Sequence, residues 1–251
     1  GDAAGIGPEI VIKALQHTIV HDWCRTIVVG DARGLEYYAD LLHLPIRFRC
    51  VSNVLDARFE KGTIDIVHIP NINMERFHPG AVDAMYGQAM LEYTCRAVEL
   101  AMQGMVDAVI GGPHTKKAVE LAGVHFEGYP HFVAGLTGTA PDDTFLMLCS
   151  ERLRIVNTTL HVSLREAIGQ INRELVAKTI RATNQAVRKL GVPYPRIAVA
   201  GLNPHAGEQG MFGNEELEHI EPAVAAAKAE GIDAHGPYGS DTLFLEIQKG
   251  T

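Results

Sequence analysis

The sequence lacks any apolar run approaching the roughly 18–20 residues that cross a membrane. It also lacks a basic stripe. Its 22 Lys and Arg stand against 30 Asp and Glu, a net charge of -8. A phosphate backbone needs clustered positive charge, so neither nucleic acid nor a membrane is expected as a partner. Cysteine is scarce: Cys24, Cys50, Cys95 and Cys149 are widely spaced and form no CxxC pair. They are expected to be reduced core residues of a cytoplasmic protein. GxGxxG, GxxxxGK[ST] and HExxH are all missing, so a Rossmann fingerprint, a P-loop and a local zinc motif have no support. Neither an internal repeat nor a signal peptide is visible, although the sequence begins at Gly1 without a methionine.

What is there is ordinary soluble composition in 251 residues, 47% hydrophobic and 21% charged. That length suits one large α/β domain or two lobes. Apolar strand-like runs at 25–31, 46–51, 64–70, 107–113 and 196–203 alternate with helical patterns. Residues 83–104 predict a long amphipathic helix closed by Gly104, and 214–231 a helix that Pro222 kinks or splits. Segments 144–150 and 153–160 predict a hairpin or bent pair, so the sheet is expected to be mixed rather than purely parallel. Gly and Pro cluster near 110–125, where a lobe boundary is expected, with lobes of 1–115 and 116–251.

Ligands of open α/β sheets bind beyond the carboxyl ends of strands, and four such ends carry chemistry. Lys116 follows the Gly111-Gly112-Pro113 break, as an anion partner or a plain helix-start lysine. His161 follows "RIVNTTL" and is fixed by Ser163 and Glu166, which have capping-box spacing. His205 follows "IAVAGLNP", where Pro204 stiffens the turn and Gly207, Gly210 and Gly213 allow unusual backbone or a close ligand. Asp241 follows "GPYGS", as a ligand or a helix cap. Two histidines at equivalent strand ends and an aspartate have the composition of a divalent metal site, with mixed N/O donors suiting Zn, Mn, Co or Ni, while each histidine alone also reads as one that hydrogen-bonds its own turn. At the N-terminus, "GDAAGIGPEI" looks like an anion-binding turn before a helix that opens on Pro8.

The segments "GDAAGIGPEI" (1–10), "GGPHTKKAVELAG" (111–123), "FEGYPHFVAGLTG" (126–138), "TTLHVSL" (158–164), "GLNPHAGEQGMFGNEE" (201–216) and "GPYGSDTLF" (236–244) occur in one order. Together they resemble the 4-hydroxythreonine-4-phosphate dehydrogenase family of pyridoxal phosphate biosynthesis. The resemblance implies an isocitrate/isopropylmalate-dehydrogenase-like α/β fold: two lobes, a central cleft and a homodimer with active sites at the subunit interface. It implies NAD or NADP and a divalent metal (Zn, Mn, Co, Ni or Mg). His161 and His205 match the family's metal histidines, and Asp241 matches an acidic residue near the metal. A third histidine is expected in a "YHDQG" segment beyond Thr251.

The implied reaction oxidises a hydroxy acid, passes hydride to the nicotinamide and then releases CO₂. Lys116 is expected beside the substrate as charge partner or proton donor, and Asp241 near the reacting atoms. Gly207, Gly210 and Gly213 are candidate nucleotide contacts. One departure concerns the substrate. The family commonly has Gly-His-Thr where this chain has Gly128-Tyr129-Pro130, with His131 following. Tyrosine and proline cannot supply the same donors. The leading substrate is 4-phosphooxy-L-threonine. The alternatives are 4-phospho-D-threonate or D-erythronate, a terephthalate-type cis-dihydrodiol dicarboxylate, and, remotely, a non-catalytic metabolite-binding protein.

Overall fold

A three-stranded parallel sheet in the order β1-β3-β2 organises the first part of the chain: β1 Val28–Gly30, β2 Arg47–Val51 and β3 Thr63–His68. The structure is a computed structural model and describes residues 1–140, 143–150 and 153–248. Strand β3 is central, pairing Ile66 with Val28 on one side and Cys50 on the other. It is buried almost end to end, as a strand covered on both faces must be. Its Asp65 is buried too, and accepts from the backbone N–H groups of Arg58 and Phe59 and from Arg49. Helices α1 (Gly7–Gln16), α3 (Ala32–Leu41) and α4 (Ala84–Met102) supply Ile12, Leu35, Tyr38, Tyr86 and Tyr93 to the core against Ile64 and Ile66. A short α2 spans Thr18–Trp23. Asp83 caps α4 by accepting from Met85 N–H.

The chain divides into two compact units, Gly1–Thr139 and Ala140–Thr251. Helices α5 (Lys116–Leu121) and α6 (Tyr129–Thr137) belong to the first and pack on α4, so the division falls later than the Gly/Pro cluster near 110–125. Gly87 is what lets α5 approach. A Cβ there would sit 2.1 Å from Ala118 O.

The second unit holds an antiparallel pair, β4 (Leu146–Cys149) with β5 (Arg154–Asn157), as the hairpin pattern predicts. It also holds a parallel pair, β6 (Arg196–Ala200) with β7 (Asp233–Tyr238). Helices α7 (Leu164–Gln170), α8 (Arg173–Lys189), α9 (Glu221–Ala229) and α10 (Leu243–Gln248) complete it. Val176, Ile180, Ile220 and Val224 form its core against Ala234. Pro222 splits the 214–231 helix as expected, standing in the first turn of α9 after a wider π-type turn at Glu216–Ile220.

Two expectations fail. Residues 107–113 are not a strand. Their backbone finds no ladder partner among the described residues, and Ile110 is 90% exposed. The cysteines are not core residues. Cys24, Cys50 and Cys149 are exposed and Cys95 is half-buried. Cys24 ends α2, and Cys50 and Cys149 lie on short strands with accessible faces. The α/β class holds, as several small sheets rather than one mixed sheet.

Candidate functional site

The carboxyl ends of β6 and β7 lie side by side because the pair is parallel. Gly201 N–H donates to Tyr238 O at 2.8 Å, and Ser240 Oγ donates to Gly201 O at 2.6 Å. These two bonds tie the segment carrying Asp241 to the segment carrying His205. His205 Nδ1 stands 4.0 Å from Asp241 Oδ2, and both side chains are well exposed. Beside them lies an open pocket of about 590 Å³, lined by His205, Ala206, Glu208, Glu221 and Pro237 among others. An imidazole and a carboxylate this close need only a small side-chain rotation to share one divalent ion. Among the described residues no group of three or more His, Cys, Asp or Glu side chains is placed to hold an ion.

The turn bearing His205 is unusual. From 205 to 209 the backbone is left-handed throughout: His205 (φ 53°), Ala206 (φ 53°), Gly207 (φ 76°), Glu208 (φ 41°) and Gln209 (φ 59°). Each non-glycine residue in that region costs about 1–2 kcal/mol. Such strain persists only where the surroundings over-determine it. Gly207, Gly210 and Gly213 all have positive φ, but the space at each Cβ is taken by the chain itself. A Cβ on Gly207 would lie 2.6 Å from Glu216 Oε2, one on Gly210 2.9 Å from Asn214 Oδ1, and one on Gly213 2.5 Å from Glu215 Oε2. The glycines are therefore accounted for by internal packing.

Glu216 is the residue that sequence reasoning missed. It is 1% exposed. Its Oε1 accepts from the N–H groups of Leu202 and Asn203, both at 2.7 Å, and its Oε2 from Asn203 Nδ2 at 2.9 Å. Burial pushes its carboxyl up, but these donors outweigh burial and hold it below the usual carboxylate range. The only signal in the sequence is the acidic pair of "GNEE", which looks like the exposed first turn of a helix.

His161 is exposed, with φ 55°, just before α7. The expected capping box is present: Ser163 N–H donates to Glu166 Oε2 at 3.0 Å, and Glu166 N–H to Ser163 Oγ at 3.3 Å.

The remaining candidates share a corner of the first unit. Lys116 opens α5, and its Nζ donates to Glu127 O at 2.7 Å. Tyr129 and Pro130 open α6 after Gly128 (φ 150°). The Tyr129 ring meets His114 and Phe126 edge-on, and its hydroxyl donates to Gly112 O at 3.0 Å. Burial pushes the phenol up. His131 Nδ1 lies 3.4 Å from Glu127. Asp2 is buried here, accepting from Ala4 N–H at 2.9 Å and Thr115 Oγ1 at 2.5 Å. A carboxylate of the chain thus occupies the N-terminal turn that looked anion-binding.

The family described as pyridoxal phosphate biosynthetic protein PdxA matches residues 22–251. The chain belongs to the PdxA family. It is 41% identical over 251 residues to the D-threonate 4-phosphate dehydrogenase of Cupriavidus necator, covering all of this chain and 74% of that protein. The crystal structure of a 4-hydroxythreonine-4-phosphate dehydrogenase from Burkholderia phymatum superposes with a TM-score of 0.90 at 39% identity, covering all of this chain and 75% of that one. A terephthalate 1,2-cis-dihydrodiol dehydrogenase from Burkholderia xenovorans is more distant in shape, with a TM-score of 0.69 at 34% identity, covering 98% and 73%. The PdxA-family chain is an oxidoreductase acting on a CH–OH group of a small molecule. A dehydrogenase of this family implies an NAD(P)-type cofactor and a divalent metal. No helix among the described residues is long and apolar enough to cross a membrane.

Proposed function

We propose that this chain is a divalent-metal-dependent NAD(P) dehydrogenase that oxidises a hydroxy acid and releases CO₂ from the resulting β-keto acid. The observation that carries the metal part is the approach of His205 to Asp241, 4.0 Å apart and exposed at the ends of two parallel strands. His205 and Asp241 would hold the ion, with His161 as a further ligand by family resemblance. A bound divalent ion supplies Lewis acidity, which favours ionisation of a substrate hydroxyl and polarisation of the new carbonyl. Oxidation sends the carbinol hydride to the nicotinamide and the hydroxyl proton to a base. Lys116 has an ammonium with three N–H bonds, of which one is used on Glu127 O, so it can pair with a substrate anion. The family resemblance further supports a homodimer of isocitrate-dehydrogenase-like lobes in the cytoplasm. Light scattering on the purified chain tests the dimer.

The substrate proposed is a four-carbon hydroxy acid with a 4-phosphate. Relatives at 41% and 39% identity bear the D-threonate and hydroxythreonine names, so those two acids are assayed first. One observation favours a second reading. Tyr129 turns its hydroxyl onto Gly112 O and Pro130 carries no side-chain donor, so positions 129 and 130 offer no counterpart of a His-Thr pair to a phosphate. That favours a family member with a changed substrate, such as a dihydrodiol dicarboxylate. NADH formation should be followed with 4-phosphooxy-L-threonine, 4-phospho-D-threonate and the terephthalate dihydrodiol, with and without Mn²⁺. Turnover of a phosphorylated acid is expected. Turnover of the dihydrodiol alone replaces the first reading by the second, and metal-independent turnover removes the metal.

A further inference from the structure

We infer that Glu216 is a positioning residue whose buried carboxylate sets the left-handed turn aiming His205 at Asp241. The inference rests on the reading of His205 and Asp241 as ion ligands, but its geometry stands apart from that reading. A run of left-handed residues is not a conformation the chain adopts unaided. Something must fix the backbone where the run begins, and Glu216 does so. One oxygen gathers the two N–H groups of residues 202 and 203, immediately before Pro204, and the other takes the Asn203 amide. Glu215 takes the same amide at 2.7 Å, so Asn203 is held by two carboxylates.

The turn then folds back over that carboxylate. Gly201 and Gly207 both face it, and a Cβ on either would lie 3.2 or 2.6 Å from its oxygens. At Gly207 the acid itself excludes a Cβ, and at Gly201 a Cβ would first meet Ala206 Cα at 2.9 Å. The acid is thus enclosed by the segment it orders, from residue 201 to residue 207. His205 lies inside that segment, with its own side chain free of any hydrogen bond to the frame. Ser240 completes the arrangement by anchoring the Asp241 segment to Gly201 O. Glu216 touches neither His205 nor Asp241 and acts on the turn through the N–H groups of residues 202 and 203 and the Asn203 amide. Residues that orient ligands in this way change metal affinity about 10–100-fold when removed.

Glu216→Gln keeps the size of the side chain but turns an N–H₂ group toward donors. It should be compared with wild type and with Val224→Ala, a core change in the same unit that leaves the turn alone. Two readouts are needed: hydrogen exchange of amides 202–210, and Mn²⁺ affinity by calorimetry. For Glu216→Gln, exchange of those amides should speed about 10-fold or more and the Mn²⁺ Kd should rise about 10–100-fold. Val224→Ala should lower the urea midpoint and leave both readouts as in wild type. If Glu216→Gln does not fold, Asn203→Ala is read in the same two ways and decides. Wild-type exchange at 202–210 in the variant overturns the inference. Failure of the wild type itself to bind Mn²⁺ overturns the metal reading, and exchange alone then judges Glu216.

Discussion

The corner at Tyr129 and the turn at His205 both follow apolar runs, and both carry a histidine, glycines and a proline. They use their polar groups in opposite directions. At the first, the side chains turn onto the backbone: Tyr129 hydroxyl on Gly112 O and Lys116 ammonium on Glu127 O. At the second, backbone N–H groups turn inward onto a buried side chain, Glu216, and His205 and Asp241 are left exposed, each the other's polar neighbour among the described residues. A side chain satisfied by its own backbone has its orientation fixed and less to offer a ligand. A backbone satisfied by a buried acid leaves its side chains available. The second arrangement leaves side chains for a ligand, and the first leaves fewer.

The largest effect expected from this contrast is on turnover. His205→Ala should lower kcat/KM at least about 100-fold through loss of an ion ligand. Being 64% exposed at its side chain, it should leave stability within about 0.5 kcal/mol. Steady-state kinetics beside urea denaturation checks both halves, and near-wild-type turnover would place the chemistry elsewhere. Gly207→Ala probes the frame instead. Its φ of 76° and the 2.6 Å approach to Glu216 Oε2 should cost about 2–3 kcal/mol in the urea midpoint. An unchanged midpoint would mean that the turn has room and is not closed around the acid.

Much of the frame was legible before the structure. Helical periodicity and apolar runs located α4, the 146–157 hairpin and the β6 strand, because burial leaves a mark in the sequence itself. The capping box at Ser163 was legible for a similar reason, since its partners are three residues apart. What failed or was missed depends on distant partners. Residues 107–113 look like a strand, but a strand exists only where another backbone pairs with it. Glu216 looks like a solvated helix-start acid, and its burial is set by glycines at 201 and 207 that no local pattern links to it. The left-handed run was signalled only by glycine density, which is read equally as unusual backbone or a close ligand, and the side chains of Asn214, Glu215 and Glu216 fill the space at Gly210, Gly213 and Gly207. His205 and Asp241 were both named from sequence, and their approach comes from the parallel pairing of β6 with β7.

A smaller effect separates the two corners by stability. Tyr129→Phe removes one buried hydrogen bond and should cost about 1 kcal/mol. If the hydroxyl serves only the Gly112 carbonyl, kcat/KM for every substrate should change less than about 5-fold, the factor to which about 1 kcal/mol corresponds. A large change for one substrate alone would show that the hydroxyl meets that substrate.

The smallest effect expected is a pH dependence confined to the first corner. His114 is half-buried, with its ring edge-on to Tyr129 at 4.7 Å and Phe126 at 5.2 Å. Burial, and next the positive charge of Lys116, lowers its pKa below the ordinary imidazole value. Asp2 opposes this shift only in part. Above about pH 6.5 the ring is neutral in both folded and unfolded chains, and its packing contributes in full. As pH falls below that value the unfolded chain takes the proton first, so it binds more protons than the folded one and stability declines. The decline continues until the folded ring is protonated as well. His114→Phe keeps an aromatic ring between Phe126 and Tyr129 and cannot titrate. Urea midpoints measured from pH 7.5 down to pH 5 should therefore fall more steeply for wild type than for His114→Phe. Parallel curves would show that the ring's burial does not resist its charge, and that this corner is more open to water than its contacts imply.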